Sequence, residues 1–158
     1  MTSRLKRITL KPITEKTFLP IIELDAGDDG AYVENNSITI IQALFKKLLI
    51  NVKGIYLESA TEVIPIGLIL VHPLKNNKLL SIHRFMIDKK YQGKGYGKEA
   101  FKLGLKFYIR KYKPTTIELS SKNANAIKLY KKFGFNEYKE RKEDKAYLRV
   151  YTKDIIFL

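Results

Sequence analysis

Gly93, Gly95 and Gly97 stand at alternate positions in the run Gln92-Gly93-Lys94-Gly95-Tyr96-Gly97-Lys98. Glycine tolerates positive φ and lets a ligand approach the main chain, so such a turn can aim several backbone N–H groups at one small volume. A strand-like run, Arg84-Phe85-Met86-Ile87-Asp88, enters the turn, and a helical pattern leaves it. That helix adds the N–H groups of its first turn and the positive end of its dipole. The chemistry on offer is capture of a phosphate or pyrophosphate, and Lys94 and Lys98 bring charge to it. Two nucleotide motifs compete for the turn. A dinucleotide fold wants Gly-x-Gly-x-x-Gly near the first strand of its βαβ unit. The spacing here is Gly-x-Gly-x-Gly, past mid-chain, and that reading is weak. A nucleotide P-loop wants Gly-x-x-x-x-Gly-Lys-Ser/Thr. Glu99 follows Lys98, and no hydroxyl is placed to hold Mg²⁺.

Other reactive side chains are few. There is no cysteine, which excludes disulfides, thiolate ligands and thiol nucleophiles. With only His72 and His83, a histidine-rich metal site is excluded, and no metal is expected. Residues 25–30 form an acidic, glycine-rich loop, Asp25, Asp28 and Asp29 among them, with Glu34 shortly after.

The elements that must position these residues follow from periodicity and punctuation. Residues 4–10 alternate as a strand ended by Pro12, and 14–24 suit a helix capped by Thr14 or Thr17 and interrupted or restarted at Pro20. Ser37 reads as the cap of a helix to about residue 49, with Ile40, Ile41, Leu44 and Leu48 on its apolar face. Residues 52–59 and 64–71 read as a hairpin, with a further turn at Asn76 and Asn77. A strand over 79–87 runs into the glycine turn. The helix that follows, 97 to about 111, carries Lys98, Lys102, Lys106 and Arg110 as a basic stripe. A strand over 116–120, a helix over 123–133 stopped by Gly134, and an antiparallel pair at 136–141 and 146–151 complete the chain. The order βααβββαβαββ predicts one mixed α/β domain over 1–158, its sheet largely antiparallel around a central parallel βαβ unit.

Composition sets the outer bounds. The length suits a single domain with a real core, and 45% apolar with 29% charged residues is a globular balance. No apolar run approaches the ~18 residues of a membrane span, and the N-terminus leads straight into strand-like alternation. A soluble, cytoplasmic protein without a membrane partner is the expectation. The formal charge of +14 is the outlier. It suits attraction to a polyanion or a lysine-rich solvated surface; the basic residues are spread along the chain rather than gathered in one arm. A basic nucleic-acid-binding domain is the reading from another class. No stacking aromatic platform or binding motif accompanies the lysines in the sequence, so no nucleic-acid partner is expected.

Gln92-Gly93-Lys94-Gly95-Tyr96-Gly97 resembles the Gln/Arg-x-x-Gly-x-Gly/Ala signature of the GNAT superfamily of acetyl-CoA-dependent N-acetyltransferases. The segment from Asn123 through Asn125, Leu129, Tyr130, Lys132 and Phe133 to Phe135 looks like that family's second conserved block. The element order resembles the GNAT fold, in which two parallel strands splay apart to open a cofactor cleft. Arg84 to Asp88, Tyr91 to Gly95 and Tyr32-Val33-Glu34 further resemble the bacterial spermine/spermidine acetyltransferase branch. The resemblance implies acetyl-CoA as cofactor and a homodimer. The implied acceptor is a small-molecule amine, a polyamine such as spermidine or spermine by the branch. An aminoglycoside, another small amine or a protein N-terminus is the alternative.

The resemblance also implies roles. The backbone of Phe85, Met86 and Ile87 pairs with the pantetheine arm, and a strand N–H, from Met86 or Ile87 foremost, serves the oxyanion of a tetrahedral intermediate. N–H groups from Gln92 through Gly93, Lys94, Gly95 and Tyr96 to Gly97 wrap the pyrophosphate. Asn125 meets the pantetheine and Lys132 a cofactor phosphate. Tyr130 is the acid that protonates the leaving thiolate. An alkyl ammonium of pKa ~10.4 is deprotonated in about one molecule in 2,500 at pH 7, a cost of ~4.6 kcal/mol, so a base is needed. His83 lies two residues before Phe85 and is one candidate. Glu34 and Glu23 are the carboxylate candidates, as base or as ammonium-binding groups.

Overall fold

In the computed structural model, which describes residues 6–27 and 35–157, the seven strands are hydrogen-bonded in the order β1-β2-β3-β4-β5-β7-β6. They are β1 (Arg7–Pro12), β2 (Val52–Glu58), β3 (Val63–Leu74), β4 (Leu79–Ile87), β5 (Thr116–Ser121), β6 (Asn136–Lys142) and β7 (Lys145–Tyr151). The helices are α1 (Phe18–Ile22), α2 (Asn36–Phe45), α3 (Tyr96–Tyr112) and α4 (Ala124–Lys132). β4 and β5 pair in parallel across α3, while β1 with β2, β2 with β3, β5 with β7 and β6 with β7 are antiparallel. This is the mixed, largely antiparallel sheet with a parallel βαβ unit that the element order predicts. The β4–β5 ladder joins Leu79–Ile82 to Thr116–Leu119, and β4 continues beyond it to Ile87.

The chain folds into two compact units that alternate in sequence, Met1–Leu70 with Arg84–Gly104, and Val71–His83 with Leu105–Leu158. In the first, Ile21, Ala43, Leu48, Val52, Tyr56, Leu68, Leu70 and Met86 form a buried cluster. Gly67 is indispensable there: a Cβ on it would collide with the Met86 carbonyl oxygen and sit 2.9 Å from Ile87 Cδ1. In the second, Leu80, Tyr108, Ile117, Phe133, Phe135 and Leu148 are among the fully buried side chains.

Several boundaries differ from the sequence reading. The helix predicted over 14–24 shrinks to α1. A turn closed by Thr17 N–H to the Thr14 carbonyl precedes it, and Pro20 falls in its first turn, where a missing N–H costs nothing. α2 is capped by Asn35, not Ser37: the Asn35 side chain accepts from Ser37 N at 2.8 Å. α2 also ends at Phe45 rather than near 49, because Lys47 adopts φ +56° and a 3₁₀ turn over Leu49–Asn51 follows. Of its predicted apolar face, Ile40 and Leu48 pack inward, whereas Ile41 and Leu44 are exposed. α4 is capped by Asn123, which accepts from Asn125 N and Ala126 N, and is stopped by Gly134 at φ +96°. Glu143 and Asp144, both at positive φ, make the two-residue turn between β6 and β7. Among the described residues no helix is long and apolar enough to cross a membrane.

Candidate active site

The glycine turn is built from the end of β4. After Ile87 a 3₁₀ turn over Lys89–Tyr91 is capped by Asp88, and Gln92 then leaves in extended conformation. Gly93 and Gly95 take φ +71° and +84°, and a Cβ on either would meet nothing within 4 Å. It is the left-handed backbone, not crowding, that requires glycine at both. Gly97 differs from its two companions: it is helical, in the first turn of α3, with Ile87 Cγ1 3.7 Å from where its Cβ would be. Glu99 N–H donates to the Gly95 carbonyl at 3.2 Å, so α3 opens at Gly95 and Tyr96, Gly97 and Lys98 lie in its first turn. An accessible loop with two left-handed glycines leading into a helix N-terminus fits a pyrophosphate.

A network within the same unit fixes this turn to residues 25–27. Buried Asp88 accepts from Asp25 N at 3.0 Å and from Lys90 N at 2.9 Å. Lys89 N–H donates to the Asp25 carbonyl, and Lys89 Nζ lies 2.7 Å from the Asp25 carboxylate. The Lys89 hydrogen bond, then one from Gly27 N–H, lowers the Asp25 pKa below its ordinary value. Gln92 completes the clamp, its amide nitrogen donating to the carbonyls of Ala26 and Ile87, each at 2.8 Å. Two acceptors on one side settle which end of that amide is NH₂. The side-chain roles of Asp88 and Gln92 are not visible in the sequence, where Gln92 offers only its backbone N–H. Lys94 folds back, Nζ to the Lys90 carbonyl at 2.9 Å, beside the Tyr91 ring, while Lys98 is exposed.

β4 itself presents Phe85, half-buried and edge-on to Phe101, and buried Met86, whose sulfur accepts from Asn36 Nδ2 at 3.7 Å. Asp88 N–H donates to the Ile66 carbonyl at 2.7 Å and pins the end of the strand to β3. Arg84 Nε donates to Thr39 Oγ1 on α2 at 3.0 Å.

In the second unit, α4 carries the other block. Tyr130 is buried, its ring tilted against Phe135 at 6.3 Å, and burial raises its phenol pKa far above the ordinary value. At neutral pH this phenol is a proton holder and hydrogen-bond donor. Asn125 and Lys132 are exposed on the same helix. His83 is exposed on β4, edge-on to His72 with ring centroids 5.3 Å apart. Glu34, with Asp28 and Asp29, lies outside the described residues. Glu23 is exposed at the end of α1, and Asp25 is engaged by Lys89 rather than by an acceptor.

The sequence profile described as "Acetyltransferase (GNAT) family" matches residues 34–135, which include the glycine turn and α4. The chain belongs to the GNAT acetyltransferase family. As a GNAT member it is an acetyl-CoA-dependent N-acetyltransferase. Among curated GNAT relatives, a probable spermine N(1)-acetyltransferase of Bacillus subtilis subsp. natto (strain BEST195) is 30% identical over 139 residues, 81% of this chain and 87% of that protein. A spermine/spermidine N(1)-acetyltransferase of Bacillus subtilis (strain 168) is 29% identical with the same coverage. Among solved structures, spermidine N-acetyltransferase from Vibrio cholerae in complex with CoA and spermine superposes with a TM-score of 0.71 at 18% identity, over 94% of this chain and 97% of that one. A GNAT-family acetyltransferase from Bacillus anthracis gives 0.71 at 19% identity, over 93% and 96%.

Proposed function

We propose that this GNAT enzyme acetylates a primary amine of a small polyamine of the spermidine/spermine class, by direct transfer from acetyl-CoA. The observation that carries the acceptor is the likeness to two spermine acetyltransferases over 81% of the chain. We further propose that the two units form one catalytic domain and that the enzyme is a cytoplasmic homodimer.

In this reading acetyl-CoA, when bound, supplies an activated acetyl thioester, and the chain's residues do the rest. N–H groups from Gln92 to Gly97 hold the pyrophosphate, supported by the open end of α3 and the exposed Lys98. Main-chain groups of Phe85, Met86 and Ile87 hold the pantetheine arm, and an N–H of Met86 or Ile87 donates to the carbonyl oxygen as charge develops. Asn125 and Lys132 serve the pantetheine and a phosphate. Lys94, engaged with the Lys90 carbonyl, has to be released before it adds charge.

Tyr130 donates to the sulfur. Its burial has a cost: full transfer from a phenol to a thiolate of pKa ~8.5 is uphill even at the ordinary phenol value of ~10. Tyr130 therefore acts first as a hydrogen-bond donor to developing negative charge; the proton that the thiol finally keeps passes through its phenol, which regains one from solvent, while the amine's proton leaves to a base. For that proton His83, exposed and reachable by water, and Glu34 are the candidate bases.

The deciding assay measures thiol release from acetyl-CoA over spermidine, spermine, an aminoglycoside, a simple monoamine and an N-terminal peptide. Polyamines are expected to give the highest kcat/KM, by about 10-fold or more. Turnover of the peptide or the aminoglycoside without turnover of polyamines would overturn the acceptor and leave the acetyltransferase standing.

A further inference from the structure

α2 buries a mixed polar and apolar face and leaves an apolar stripe on the opposite one. Asn36, Thr39 and Ala43 are buried, and Ile40 packs against the core of the first unit. At 100° per residue these positions share one side of the helix, and Ile38, Ile41 and Phe45 fall diametrically opposite. That outer stripe is open: Ile38 is 46%, Ile41 53% and Phe45 81% exposed, with Leu44 on its flank and Leu49 just beyond. A surface helix ordinarily turns polar residues away from the core; α2 does the reverse, burying Asn36 and Thr39 and exposing its apolar stripe.

We propose that this stripe is the two-fold interface between two copies of the chain. Area is the first argument. The five residues expose roughly 500 Å² of apolar surface, near the upper limit for a monomer's largest patch and most of the ~800 Å² that each partner gives to a stable interface. Ser37, Gln42 and Lys46, next to the stripe, supply the polar rim. Charge is the second. Two bodies of formal charge +14 repel each other. Residues 35–45 contain no charged side chain in a chain that is 29% charged, so contact along this stretch sets none of its own side chains against a like charge, Lys46 lying at its end. A second copy matches that composition, and a symmetric contact is self-complementary by construction. With the two α2 helices antiparallel, Ile41 sits beside the axis, and Ile38 of one copy faces Phe45 of the other. This interface gives a surface to the homodimer proposed above and rests on that part of the reading alone; its failure would leave thiol release from acetyl-CoA untouched.

The absence of cysteine makes the test clean. As the sole thiol, Ile41→Cys should form a covalent dimer under mild oxidation, and Glu140→Cys on exposed β6 should not. Light scattering should give the wild type twice the 18.3 kDa chain mass at about 100 µM, and Phe45→Glu should weaken association by about 100-fold or more with its melting temperature kept. A monomeric wild type overturns the interface, whether residues 28–34 of the same chain or a lipid surface then covers the stripe. So does a dimer that ignores Phe45→Glu and leaves the Ile41→Cys thiol unlinked.

Discussion

Tyr130 keeps its proton because the fold takes its ring out of water, and the consequence can be observed directly. A phenol whose folded pKa is raised stays neutral above pH ~10, where an exposed tyrosine ionises. Of the ten tyrosines, Tyr130 and Tyr108 are both raised by burial. A titration followed at 295 nm should therefore leave Tyr130 and Tyr108 unionised until the protein unfolds, and Tyr130→Phe should lower the late-ionising amplitude by one tyrosine. The sign of the linked stability follows: both contribute in full below pH ~10, and their contribution is lost as pH rises past it. The same side chain carries the kinetic prediction. Tyr130→Phe should lower kcat by roughly 10²-fold with acetyl-CoA affinity unchanged in calorimetry, as expected for a donor that matters only while the thiolate forms. Unchanged turnover would remove it from the mechanism. At Gly95, an alanine must adopt φ +84°. Strain of about 1–2 kcal/mol should appear in chemical denaturation, together with weakened acetyl-CoA binding.

The glycine turn, as an element, is held by side chains that no motif describes. Residues 25–27 and the 87–92 segment are joined by hydrogen bonds and an ion pair, with buried Asp88 and exposed Gln92 at the centre. Because the Gln92 amide donates to two carbonyls, its acidic isostere is the more damaging change. A carboxylate accepts only, and would face the Ala26 and Ile87 oxygens with nothing to donate. Gln92→Glu should be the less stable of the two variants in urea unfolding, by about 0.5 kcal/mol at this exposed position. If Glu is tolerated as well as Ala, the clamp does not bear on the turn. This also marks where the sequence was legible. The strand, turn and helix around Gly93 to Gly97 could be read because glycine spacing and apolar periodicity are local signals. Gly134 as a stop was equally visible, being written in adjacent residues, whereas Asn123, which reads in the sequence as the first helical residue, is the cap. The clamp was not, because Gln92 and Ala26 are 66 positions apart. Gly67 left a hint, an isolated glycine in an apolar strand, which signals close backbone approach. α2 misled: its apolar stripe faces away from the core, which takes Asn36 and Thr39 instead, and periodicity alone cannot say which side is buried.

For the whole molecule, the charge of +14 acts with opposite sign on acetyl-CoA and on the polyamine acceptor proposed above. Acetyl-CoA carries phosphates and is drawn toward a basic body; a polyamine carries ammonium groups and is repelled unless local carboxylates dominate. In the sequence, the acidic run from Asp25 to Glu34 is the segment able to counter this. Yet Asp25 is paired with Lys89 at 2.7 Å, which takes one carboxylate out of the count. Salt separates the two forces, since the Debye length shrinks from ~30 Å at 0.01 M to below ~10 Å above 0.1 M. Raising ionic strength across that range should increase KM for acetyl-CoA several-fold. Over the same range KM for spermidine should fall, because screening removes more repulsion than attraction, and KM for an uncharged amine analogue should stay flat. Steady-state kinetics at fixed pH read all three. A spermidine KM that rises with salt would mean that the carboxylates of residues 28–34 outweigh the body charge and that the acceptor is steered in rather than held off. Lys89→Ala, which releases Asp25, should then lower that KM further at low salt.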